Sequence, residues 1–214
     1  MKNLLVIVSF ILISVGGISA QSADAVYEQV MQRAVTKLDS SHTVPLLKQQ
    51  KNQFARISSK YTEEWLPLYY WAYCNIQSVY LNQKEQTNAQ LLDEAEEKLS
   101  LLQTLRNANR SEVNTLWGYY YTALIALDPQ NNGAKYFGQV MSYYKQAIEQ
   151  DSSNPRPVYL LALFETNLPA FMQQGKDFCG QLAKAAELYK VQEPKSINPH
   201  WGREFLNMLQ TKCN

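Results

Sequence analysis

Apolar residues recur every three or four positions along nearly the whole chain after Gln21, and Gly and Pro gather between these runs instead of inside them. Such a period describes amphipathic helices joined by short turns. It predicts helices over roughly residues 23–38, 44–59, 66–82, 87–107, 112–127, 133–150, 156–167, 175–191 and 200–212. No segment alternates as a half-buried strand would, so the fold class is all-α. The joints carry matching chemistry. Asp128-Pro129 ends one helix, and Asn154-Pro155 and Asn198-Pro199 open later ones, because Pro fits the first helical turn and keeps the residue before it out of the helix. Ser111 is placed to cap the helix that follows it, with Asn114 three residues on.

Three stretches share a pattern: WLPLYYWA at 65–72, SEVNTLWG at 111–118 and PRPVYLLA at 155–162. Each ends in a small residue, Ala72, Gly118 or Ala162, behind a large apolar one, Trp71, Trp117 or Leu161, and two carry Pro at the same place, Pro67 and Pro157. The small residues lie 46 and 44 positions apart, within the range of helical repeat arrays. A small residue on one helix lets its partner approach toward the short end of the usual interaxial range, roughly 8–10 Å. Tyr144 and Ala147 stand where such a partner would be. One helical pair cannot bury its own apolar face, so pairs stack. The expected architecture is an α-solenoid of pairs at 23–59, 66–107, 112–150 and 156–191. A closing helix over 199–213 would cap its open end with Trp201, Phe205, Leu206 and Leu209.

The run Trp117-Gly118-Tyr119-Tyr120-Tyr121, followed by Tyr144 and Ala147, resembles the tetratricopeptide repeat. The spacing exceeds the usual ~34 residues of that repeat. Ser152 stands where its turn Pro would be, and NLPAFMQQG delays the last second helix, so the repeats are degenerate. NPRPVYLLA, QQGKDFCGQLAKAAELY and NPHWGREFLNMLQTKCN, with WLPLYYWAYCNI before them, resemble a group of secreted tetratricopeptide-like proteins of Bacteroidetes over most of residues 27–213. The resemblance implies a fold and an exported location, and brings no enzymatic activity with it.

The first twenty residues point the same way. Lys2, an apolar run from Leu4 to Ile13 and a small-residue ending at Ala20 read as a secretory signal peptide cut after Ala20. This leaves a helical repeat domain over 21–214 without a further membrane span, in the periplasm or outside the cell. With Lys2 removed, 19 bases balance 19 acids, which gives no electrostatic case for nucleic acid or an anionic membrane. Three Cys are an odd number for an oxidising compartment. If the helices at 175–191 and 200–212 are antiparallel, Cys179 and Cys213 sit at similar heights at ~1.5 Å per residue. They are then either bridged or two free thiols. Cys74 reads as a small buried hydrophobe.

Catalytic and metal chemistry has little to draw on. The two His, His42 and His200, fall in predicted joints, and no nucleophile motif accompanies them. The acidic run from Asp93 to Lys98 lacks the Gly and the alternating oxygen ligands of a calcium loop and reads as a solvated face. Gly133 and Gly138, around Lys135, do not continue as a phosphate loop. We expect no enzyme, no metal and no cofactor. Tyr is the richer signal: three consecutive Tyr at 119–121 cannot all face one core, since successive helical residues turn by about 100°. Asn75, Tyr121 and Glu165, each three residues past a small position, together with Tyr119 and Tyr69, are the expected positions of a concave binding groove. The expected role is a non-catalytic scaffold in the cell envelope for a protein or peptide segment. The alternatives are a binder of small molecules or glycans on Tyr and Trp, and then a hydrolase.

Overall fold

The structure, a computed structural model, describes residues 23–84, 86–192 and 196–213. The expected signal peptide lies outside the described residues. The elements are α1 (Ala23–Asp39), α2 (Val44–Lys60), α3 (Trp65–Leu81), α4 (Asn88–Thr104), α5 (Arg110–Leu127), α6 (Pro129–Gln150), α7 (Pro155–Thr166), the single turn α8 (Ala170–Gln173), α9 (Phe178–Lys190) and α10 (Arg203–Gln210), which runs into a 3₁₀ turn at Thr211–Cys213. Among the described residues there is no strand, and the architecture is the expected all-α, solenoid-like stack.

Helices pack in chain order from α1 on α2 through α6 on α7, and then α7 packs on α9 and α9 on α10, with the single turn α8 lying against α7. In addition, α3 touches α5 and α5 touches α7, so the first helices of successive pairs line up along one side. The sequence explains who sits innermost. α3 contains no charged residue, and a helix apolar on nearly every side must be covered on nearly every side. It is held between α2, α4 and α5. α6 has a one-sided stripe instead, with Val140, Tyr144 and Ala147 buried. Of the three small positions, Ala72 and Ala162 are buried, and Gly118 lies so close to Tyr144 that a Cβ there would come within 2.5 Å of the ring.

Several joints differ from expectation. Asn109, not Ser111, caps α5 by accepting from the Glu112 N–H, and the Ser111 hydroxyl instead donates to the Ala147 carbonyl at 2.7 Å, pinning α5 to α6. α6 starts at Pro129, because the Asp128 carboxylate accepts from the Asn131 N–H. Gly133 and Gly138 therefore lie inside the helix. Asn198-Pro199 opens no helix. Residues 196–202 run as an irregular strap, and α10 begins only after Gly202, at φ 99°. That position requires Gly twice over, since the left-handed backbone disfavours a side chain and a Cβ would meet the Tyr159 and Tyr189 hydroxyls at 2.4 and 2.6 Å. Of the expected capping stripe, Leu206 and Leu209 are buried against the last pair, Phe205 stays exposed, and Trp201 belongs to the strap. Cys179 and Cys213 are joined at 1.99 Å, tying the end of the chain to α9.

Candidate functional site

The strap turns an open concave side into a walled groove. From the last helical pair it crosses back toward the first, held by the Tyr70 hydroxyl donating to the Ile197 carbonyl (2.9 Å), the Tyr189 hydroxyl donating to the Trp201 carbonyl (2.7 Å) and His200 Nε2 against Asp39 Oδ1 (3.1 Å). Beneath Trp201 lies a buried polar network. Arg156 grips Glu112 with Nε and Nη2, Asn154 donates to the same carboxylate at 2.9 Å, and the Tyr69 hydroxyl donates to it while accepting from Trp201 Nε1, each at 2.9 Å. Burial alone would lower the Arg156 pKa, but the Glu112 carboxylate outweighs it and holds the guanidinium charged. A fully satisfied network of this kind fixes position more than it adds stability. Here it fixes the indole.

The groove bounded by this strap has a volume of about 1530 Å³. Its floor is a run of four rings. Tyr80 stacks on Tyr119 at 4.6 Å, Tyr119 on Trp201 at 5.8 Å, and Trp201 lies against Tyr73 at 4.7 Å. Burial pushes the Tyr73, Tyr80 and Tyr119 phenols well above their usual range, so this floor carries no charge. α5, α6 and α7 add Ile125, Phe137, Leu163 and Phe164, and the turn beyond α7 adds Leu168 and Met172. The ionisable lining groups other than Tyr are Asp39, His42, His200, Arg203 and Glu204. They come from two segments, residues 39–42 and 200–204, that meet at the His200–Asp39 contact.

The expected groove residues divide. Tyr119 lies in the groove floor. Tyr69 is fully buried in the network beneath it. Asn75 is buried with its amide donating to Glu94, and Glu165 is buried against Lys176. The small-plus-three rule failed for these two because a full turn from a close helix contact still points into the stack. Tyr121 leaves the groove altogether: it stacks with Trp117 and Tyr143 on another side of α5. The three successive Tyr thus face three ways, with Tyr120 buried and donating to Glu96. Of the packing residues, Trp71, Trp117, Leu161 and Tyr144 join the two apolar clusters, and Ala147 is fully buried.

Sequence reasoning missed the two His. They are 158 positions apart, yet both line the groove. His200 is engaged on both ring nitrogens, by Asp39 and by the Asn198 carbonyl at 2.9 Å, and the Asp39 hydrogen bond raises its pKa. It also missed Trp201 as a floor residue. The one available signal was Gly202, an aromatic-Gly pair just before a short amphipathic helix. Among the described residues no group of three or more His, Cys, Asp or Glu is arranged to hold a metal ion, and no helix is long and apolar enough to cross a membrane.

No family model and no curated protein matches this sequence. Among solved structures, the HusA haemophore from Porphyromonas gingivalis is similar, with a TM-score of 0.78 and 27% sequence identity over 91% of this chain and 96% of that one. Its source belongs to the Bacteroidetes, the group whose secreted proteins the sequence resembles. That protein is by its name a haemophore, which is compatible with a non-catalytic binding scaffold.

Proposed function

We propose that this chain is an exported, non-catalytic carrier that holds a flat, largely apolar macrocycle, a porphyrin such as haem, in the groove between the α3–α5–α7 side and the strap. The observation that carries this reading is the uncharged four-ring floor under a 1530 Å³ groove. Small-molecule sites usually hold roughly 300–1,000 Å³, so a tetrapyrrole has room. Stacked rings at this floor match a planar π-system. The likeness to a haemophore supports the same occupant. A peptide, the occupant expected from sequence, would find ionisable partners along only one end of this groove. The reading rests on macrocycle contacts, since His200 already spends both nitrogens within the protein. Kinship with the tetratricopeptide repeat belongs to the same proposal and is supported by the Gly118–Tyr144 contact. So does export, supported by the sequence from Lys2 to Ala20.

Absorbance titration with haemin tests it. The expected result is a saturable shift of the Soret band in the wild-type protein, and its loss in Ala134→Trp. Ala134 is an exposed groove residue, so this change sets an indole in the ligand's path without disturbing the core. Saturable binding that Ala134→Trp leaves intact would place the ligand elsewhere, and no saturable shift at all would favour the peptide.

A further inference from the structure

The ionisable groups of the groove are confined to one end, and this asymmetry dictates an orientation. We infer that the bound ligand is an amphiphilic planar molecule whose carboxylate-bearing edge lies at the strap end, against Arg203 and His42, with its apolar edge toward Phe137, Phe164 and Met172. This rests on the porphyrin reading and adds to it a rule for which way round the ligand sits and which ligands are preferred.

The argument starts from the far end. An ionised carboxylate placed among Phe137, Leu163, Phe164, Leu168 and Met172 would lose its water and gain no counter-charge, which is strongly unfavourable. The strap end offers what that end lacks. Arg203 there has one of its five N–H donors on the Tyr189 carbonyl, and its guanidinium lies 5.5 Å from the Tyr189 ring centre. The side chain is exposed and already positioned on the groove wall, with further donors in a fork that suits a carboxylate. His42 is exposed on the facing segment, three residues after Asp39. The two acids of this end do not cancel that offer in kind. Asp39 is taken by His200, and Glu204 sits in the first turn of α10, exposed to solvent. Orientation is therefore set by a difference between the two ends: solvent, the Arg203 guanidinium and the His42 ring nitrogens at one, rings and aliphatic side chains at the other.

The probes are protoporphyrin IX and its dimethyl ester, which differ only in the two carboxylates. Affinities are measured for the wild type, Arg203→Gln and His42→Gln. The wild type should bind the diacid roughly tenfold more tightly than the diester, the size of one charge-assisted hydrogen bond. Arg203→Gln should remove most of that preference by weakening the diacid and leaving the diester within about twofold, and His42→Gln should remove part of it. Equal wild-type affinity for the two porphyrins would overturn the orientation while leaving the porphyrin reading standing. A loss in Arg203→Gln that is the same for both would also overturn it, because the side chain would then be acting on shape and not on charge. Failure of the wild type to bind either compound would overturn both readings.

Discussion

At the scale of single residues, the chain places its most expensive side chains directly under its candidate site. Arg156 and Glu112 are both nearly fully buried and come from helices that start pairs 44 positions apart. Removing one partner leaves the other charged and unpaired in the interior. Glu112→Gln should therefore cost about 3–5 kcal/mol in a urea melt, while the double change Glu112→Gln with Arg156→Met recovers much of it. Loss of less than 1 kcal/mol in the single variant would mean that the pair is solvated. His200 gives a second test. The Asp39 hydrogen bond raises its folded-state pKa above the ordinary value of ~6.5. The contact then stabilises in full below about pH 6.5 and fades as pH climbs through the raised value. The melting-temperature gap between wild type and His200→Gln should be wider at pH 6 than at pH 8.5, and a gap that widens with pH would contradict the assignment. Neither pair was legible in the sequence. Periodicity tells which face a charge occupies on its own helix, whereas these partners meet only after distant segments are brought together.

At the scale of elements, legibility was higher, because helix extent depends on local pattern and local caps. All nine expected helices appear, each end within about four residues of its expected place, and the single turn α8 is the one element the pattern did not predict. Gly118 is the sharpest case. With Tyr144 fully buried and unable to retreat, Gly118→Ala should push α6 off α5 and cost about 1–3 kcal/mol, as overpacking does. Calorimetry showing a rise in melting temperature, as expected for Gly→Ala in an open helix interior, would refute the close approach. The ninth helix starts three residues later than the pattern predicts, for a physical reason. Asn198-Pro199 carries start signals, but the stretch up to Trp201 is spent on contacts with α1, α3 and α9. Tertiary bonding there outweighs the local tendency, and the helix waits for Gly202.

At the scale of the whole molecule, the strap decides what the solenoid can hold. Without it, the side formed by α3, α5 and α7 would be a shallow open surface of the sort that takes extended protein segments, as the sequence led us to expect. With it, Trp201 completes a ring floor and the groove becomes a deep, mostly apolar slot with ionisable groups at one end only. The stack was readable from repeated small residues. The slot was not, since it depends on residues 196–202 crossing back over more than a hundred positions of chain. A crystal structure of the protein grown with protoporphyrin IX tests this account most directly. It predicts the macrocycle lying on Tyr119 and Trp201, enclosed by α6, α7 and the strap. A groove free of the macrocycle in crystals that contain it elsewhere, for instance on the Trp117–Tyr121–Tyr143 stack, would contradict it.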